Sequence, residues 1–118
     1  MESKKIVVTG SDGRVGRVVV RELREHGYLV TPVDKYPTQK WGTKFVDCED
    51  FGQVVGALHG HDAVVHLAAI PHPVLHSPDV VFRNNVMGCF NILEAATLLG
   101  IKNVVLASLC DQILGTFE

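Results

Sequence analysis

Lys5-Ile6-Val7-Val8-Thr9-Gly10-Ser11-Asp12-Gly13-Arg14-Val15-Gly16 is the stretch that decides the fold. Its β-branched opening suits a strand buried on both faces better than a half-exposed one. The chain then turns through Gly10, Gly13 and Gly16 and enters Arg17-Val18-Val19-Val20-Arg21-Glu22-Leu23, which reads as helix. A strand, a glycine turn and a helix start together make an anion site, because free backbone N–H groups and the helix dipole converge there. Gly10 permits the tight turn, Gly13 lets the backbone approach a phosphate, and Gly16 lets the helix pack close to the strand. Glycines at this spacing also occur in turns that bind nothing, so the rest of the chain has to decide.

At 118 residues, with 47% hydrophobic and 20% charged residues, the chain is one globular domain by length and composition. Its 11 basic and 13 acidic residues form no long block and leave a formal charge of −2. That balance gives no electrostatic reason to expect nucleic acid or an anionic membrane as partner. No apolar run approaches a membrane span, and no cleavage-site pattern follows an apolar stretch at the N-terminus, so the expected location is cytoplasmic. Cys48, Cys89 and Cys110 are widely spaced and read as reduced thiols, at least two of them buried. His59, His61, His66, His72 and His76 cluster in sequence, but no carboxylate or cysteine completes a ligand set at helical spacing, and no metal is expected.

After the first helix, His26-Gly27 is a stop signal, and Tyr28 to Val33 reads as a second strand ending at Asp34. An acid about 20 residues past a glycine turn can accept hydrogen bonds from both hydroxyls of an adenosine ribose and repel a 2′-phosphate. Its blander reading is a solvated turn aspartate. Lys35 to Gly42 is polar and too short for a packed crossover helix. Lys44-Phe45-Val46 is a third strand, and Phe51, Val54, Val55 and Leu58 mark a helix. Ala63 to Ala69 is a fourth strand whose small final residues suit close approach of a ligand, or simply of a helix.

Pro71, Pro73 and Pro78 make Ile70 to Ser77 a loop. A long helix runs from Pro78 or Asp79 to Leu99, with Ser77 as N-cap and Gly100 as its stop. Asn84 and Asn85 stand in its middle against their propensity, a broken local rule of the kind that marks sites. Asn103 to Ser108 is the fifth strand. This alternation predicts an α/β fold with a doubly wound parallel sheet, right-handed crossovers and strand order 3-2-1-4-5. Ligands bind such sheets at the switch between strands one and four, beside the glycine turn.

With these pieces placed, residues 4 to 108 resemble the extended short-chain dehydrogenase/reductases of the NAD-dependent epimerase/dehydratase family. Thr9 to Gly16 is similar to the family's T-G-x-x-G-x-x-G turn, His66-Leu67-Ala68-Ala69 to its H-L-A-A motif, and Asn84-Asn85-Val86-Met87-Gly88 to the start of its N-N-V-x-G helix, continued by Asn91-Ile92-Leu93-Glu94-Ala95-Ala96. The resemblance implies a Rossmann-type, NAD(P)-binding domain over residues 1–108. It places the cofactor on Gly10, Ser11, Gly13, Arg14, Val15 and Gly16 of the turn and on Asp34 at the ribose. It also implies Asp47 and Cys48 at the adenine edge, Leu67, Ala68 and Ala69 along the nicotinamide ribose, and Asn84 near the cofactor. NAD is expected over NADP because Asp34 would face a 2′-phosphate, although Lys35 beside it softens the repulsion.

The resemblance implies a cofactor half without its catalytic half. Family members carry a second hydroxyl after the fifth strand and, further on, a Tyr-x-x-x-Lys pair. Here Ser108 is followed by Leu109, leaving Ser108 the one weak catalytic candidate, and Tyr28 and Tyr36 lie far upstream of the expected pair. The tail 109–118 departs from the family pattern, as a truncation, frameshift or splice variant would. Elements that would cover one sheet face are then missing, so Val64, Val105 or their neighbours are expected to be exposed and to favour a homo-oligomer. The implied parent activity is on a sugar, sugar acid or sugar nucleotide, and Ile70-Pro71-His72-Pro73 is similar to members that oxidise free uronic acids. A non-catalytic nucleotide-binding or regulatory module and a fragment without function are the other readings.

Overall fold

A computed structural model describes residues 4–69 and 77–107. Five parallel strands form one sheet in the order β3-β2-β1-β4-β5, as the alternation of elements predicts. The strands are β1 (Lys5–Thr9), β2 (Leu29–Asp34), β3 (Lys44–Phe45), β4 (Ala63–His66) and β5 (Asn103–Leu106). The helices are α1 (Arg14–Glu25), α2 (Phe51–Leu58), α3 (Pro78–Phe82) and α4 (Gly88–Leu99), with a π-helical stretch, Arg83–Met87, joining the last two. Among the described residues no helix is long and apolar enough to cross a membrane.

β1 is central and covered on both faces, which is why its sequence is an unbroken apolar run rather than an alternating one. Ile6 and Val8 pack with Val20 of α1, while Val7 faces Val54, Leu58, Ile92 and Ala95 from α2 and α4 on the other side. The expected division of helices, one on the first face and the later ones on the second, is what these two clusters show. Residues two apart on a strand share a face. Val64 pairs with Val7 across the β1–β4 ladder, shares its face and is fully buried, so of the two valines named for exposure it is not the exposed one. The face left thin under β5 carries Val105 instead, 58% exposed.

Several element ends move. α1 starts at Arg14, three residues before the expected position, because Gly13 takes the extended backbone of a cap (φ −75°, ψ 177°). β4 stops at His66; one further bond, from the Leu67 N–H to the Thr9 carbonyl at 3.2 Å, follows it. Gly27 and Gly100, both at positive φ (87° and 73°), end α1 and α4 where the sequence placed stops. Cys48 is buried and Cys89 half-buried, both free thiols; Cys110 lies outside the described residues.

Candidate cofactor-binding site

The glycine turn sits at the carboxyl ends of β1, β2 and β4, where Thr9, Val33 and His66 share one register. Gly10 has φ +65°, and a Cβ there would stand 2.8 Å from the backbone N of Ala68, at the end of β4. At Gly16 a Cβ would lie 1.9 Å from the Gly10 carbonyl oxygen. Close packing at Gly16 is therefore against the turn itself rather than the strand. Gly13 meets nothing nearer than 3.4 Å, so its bare backbone is not demanded by the fold. No side chain caps α1, and its first turn holds no acid, which leaves the N–H groups at its start facing outward with the positive end of the dipole. Arg14 and Val15 stand exposed on that first turn, and Ser11 is buried beneath it. The cradle fits a diphosphate.

Asp34 ends β2 beside the turn, half-buried. Its Oδ2 accepts from the Asp12 N–H at 3.0 Å and its Oδ1 from the Tyr36 N–H at 2.8 Å. A carboxylate has about four acceptor sites, so two remain for ribose hydroxyls. Lys35 Nζ lies 3.8 Å from Asp47 Oδ2, drawn along the edge toward the end of β3. Asp47 itself accepts the Glu49 N–H, and the next residue, Cys48, is buried and offers its carbonyl to Asn91 Nδ2 at 2.8 Å. Burial first, then the charges of Asp47 and Asp34, push the Cys48 thiol up to about 12, so it is no nucleophile at neutral pH.

The end of β4 is tied to β1 through one hydroxyl. Thr9 Oγ1 accepts from the N–H groups of Leu67 (3.0 Å) and Ala68 (3.1 Å), which occupies both lone pairs. Its proton then goes to His66 Nδ1, 2.7 Å away, and the ring carries its own proton on Nε2. The Leu67 N–H is shared with the Thr9 carbonyl at 3.2 Å, and the arrangement sets the backbone of Leu67 and Ala68 against Gly10. Gly88 packs on Cys48 and the His66 ring, where an added Cβ would sit 3.4 Å from Cys48 Cβ. Asn84, half-buried, donates from Nδ2 to Asn85 Oδ1 at 2.9 Å within the π-helical stretch. The asparagine pair thus coincides with a local widening of the helix, a feature frequent at functional sites.

Two features were not read from the sequence. Asp12, an unassigned position of the turn, is 7% exposed and accepts hydrogen bonds from five groups, four of them on residues 38–43. Burial works to raise its pKa, and the bonds from Gln39, Thr43, Ser11 and Thr38 outweigh burial and hold the carboxyl well below its usual range. Tyr36 and Lys40 also form a literal Tyr-x-x-x-Lys spacing, far upstream of where the family pattern places its pair. They lie in the non-helical loop between β2 and β3, with Pro37 between them, so the spacing does not set both side chains on one helix face. The cation near the Tyr36 ring is Lys35, 5.9 Å from its centroid. Ser108, Leu109 and the loop 70–76 lie outside the described residues.

The NAD dependent epimerase/dehydratase family matches residues 6–115. The chain belongs to that family. The match runs past residue 108 into the stretch the sequence reading set apart. The L-arabinose 1-dehydrogenase (NAD(P)(+)) of Haloferax volcanii is 38% identical over 88% of this chain and 40% of that enzyme. A short-chain dehydrogenase/reductase superfamily protein from Agrobacterium tumefaciens, solved with bound NAD, superposes with a TM-score of 0.80 at 38% identity, over 88% of this chain and 32% of that one. Uronate dehydrogenase from the same organism gives a TM-score of 0.78 at 29% identity, over 92% and 41%. This epimerase/dehydratase-family chain therefore spans about two-fifths or less of the length of these relatives.

Proposed function

We propose that this chain binds NAD across the carboxyl ends of β1, β2 and β4, as the cofactor-holding part of an oxidoreductase acting on a sugar, sugar acid or sugar nucleotide. The observation that carries this reading is the cradle of Gly10 and Gly16, where any side chain collides with backbone, ahead of an uncapped helix start. The diphosphate sits on the N–H groups of Arg14, Val15 and Gly16 and against the bare backbone of Gly13, whose own N–H donates to the Gly10 carbonyl at 3.2 Å, with Ser11 beneath, and Asp34 takes the adenosine ribose. Asp47 and Cys48 border the adenine, Leu67, Ala68 and Ala69 the nicotinamide ribose, and Asn84 the cofactor's far side. Bound NAD supplies a hydride acceptor; the chain's own residues bind and orient it. The named relatives act on arabinose and uronate, which supports a sugar substrate.

Calorimetric titration of the purified chain with NAD tests the reading, and absence of binding heat refutes it. NAD is expected to bind at least about tenfold more tightly than NADP, because the Asp34 charge meets the 2′-phosphate with Lys35 turned toward Asp47. Asp34→Ala narrows that gap while weakening NAD, and equal affinities in the wild type count against the assignment.

A non-catalytic nucleotide-binding module is the second reading. It is favoured by the tyrosines: Tyr28 precedes β2 at the opposite end of the sheet, and Tyr36 stands on the adenosine side. NADH formation from aldoses or uronic acids would decide for turnover. We also infer self-association of two copies through the β5 face, where Val105 is 58% exposed on an edge strand. Sedimentation of Val105→Lys should then show a smaller species than wild type, and a wild-type monomer at high concentration ends the idea.

A further inference from the structure

We infer that Asp12 is a positioning residue, a clamp that fixes Asp34 and the 38–43 loop together at the adenosine end of the cofactor site. The inference rests on the cofactor reading above and goes beyond it, since neither the turn motif nor the ribose acid requires an aspartate here. The geometry is specific. Oδ2 of Asp12 accepts the backbone N–H groups of Thr38 (2.7 Å) and Gln39 (2.9 Å). Oδ1 accepts from Trp41 Nε1 (3.0 Å), Thr43 Oγ1 (2.7 Å) and Ser11 Oγ (2.8 Å). Meanwhile the Asp12 N–H donates to Asp34 Oδ2. One residue thus holds the turn, the ribose acid and the loop that follows it. The loop's far side is pinned as well, because Trp41 packs on the α1 face with Ile6 and Val8, and Arg24 stacks 5.7 Å above its ring.

The acceptor count explains why the residue is an ionised acid rather than an amide. Two backbone N–H groups and one indole N–H cannot reverse roles, and together they need acceptors on both oxygens. An asparagine side chain in the same place could serve Thr38 and Gln39 with its one oxygen, but its amide hydrogens would then face Trp41 Nε1. Thr43 and Ser11 could rotate their hydroxyls; the indole could not. Asp12→Asn should therefore release Trp41 selectively.

Trp41 is the chain's only tryptophan, so its emission reports the clamp directly. In the full chain, Asp12→Asn is expected to shift Trp41 emission to the red without ligand and to weaken NAD about tenfold or more by calorimetry. Thr43→Val, which removes one donor and leaves the acid in place, should give a smaller shift and about threefold weaker binding, and it carries the test if Asp12→Asn does not fold. Unshifted emission in the folded variants overturns the clamp. A red shift with NAD affinity unchanged makes the residue structural only and overturns its positioning role. If the wild type itself gives no NAD heat while the emission still shifts, the cofactor reading fails, and the positioning role with it.

Discussion

Gly16→Ala is expected to lower the melting midpoint by about 12 °C, whereas Gly13→Ala, three residues earlier, should leave it within about 3 °C. Both exchange one hydrogen for a methyl group in the same turn. At Gly16 the new carbon falls 1.9 Å from the Gly10 carbonyl oxygen and 2.8 Å from its carbon, and both atoms are backbone. Relief requires the start of α1 to move off the turn, against the packing of Val20 on Ile6 and Val8. Overpacking of this kind costs about 3 kcal/mol at its upper range, and a chain of this size loses about 4 °C per kcal/mol. At Gly13 the nearest atom is 3.4 Å away and φ is −75°, which alanine adopts freely. Its methyl group would instead stand at the mouth of the cradle, so NAD should weaken about tenfold while the melt barely changes. Thermal melts and NAD titration on the two variants separate folding from binding. A Gly16→Ala melt within about 3 °C of wild type would show that the turn yields, and unchanged NAD affinity in Gly13→Ala would remove that backbone from the phosphate site.

Those two glycines also mark what the sequence discloses and what it hides. The turn, the acid at Asp34 and the strand order were legible because each follows from local backbone chemistry or from the period of apolar residues. The unbroken run Ile6-Val7-Val8 announces two covered faces, and the crossovers then fix the order 3-2-1-4-5. Which of Val64 and Val65 faces the thin side was not legible. A strand reverses face with every residue, and the phase follows only from the register Val7↔Val64. Asp12 was hidden for a different reason. Its loop partners, Thr38 to Thr43, lie 26 to 31 residues away on a polar segment with no periodicity, and a motif with free positions draws no attention to them. The asparagine pair was legible as an anomaly but not as a π-helical turn, since propensity registers a cost without saying how the backbone relieves it. Likewise the end of β4 depends on Thr9 Oγ1, which takes the Ala68 N–H and shares the Leu67 N–H with the Thr9 carbonyl, and neither contact is readable from a strand's apolar pattern.

That hydroxyl leads to the second large effect, a loss of about 3 kcal/mol of stability between pH 6.5 and about pH 4 from one side chain. Burial pulls the His66 pKa from 6.5 down to about 4. The neutral ring is the folded form because Thr9 Oγ1, with both lone pairs filled, can only donate to Nδ1, and a proton there would face a donor. Above pH 6.5 neither folded nor unfolded chains protonate this group, and it contributes no slope. As pH falls below 6.5 the unfolded chain binds a proton that the folded chain refuses, so stability drops by about 1.4 kcal/mol per pH unit until about pH 4. Asp12 acts in a separate window: its folded pKa is held below 3.8, so the stability it contributes is lost only as pH falls through 3.8 and below. The Cys48 thiol, near the His66 ring through Gly88, stays protonated throughout. His66→Asn keeps an acceptor for the Thr9 hydroxyl and removes the titration, so its denaturant midpoint should be nearly flat from about pH 6.5 to about pH 4.5, where the wild type declines. Parallel declines in the two proteins would assign the acid sensitivity elsewhere. A flat variant would show that the contact shaping the end of β4 also sets the chain's stability in mild acid.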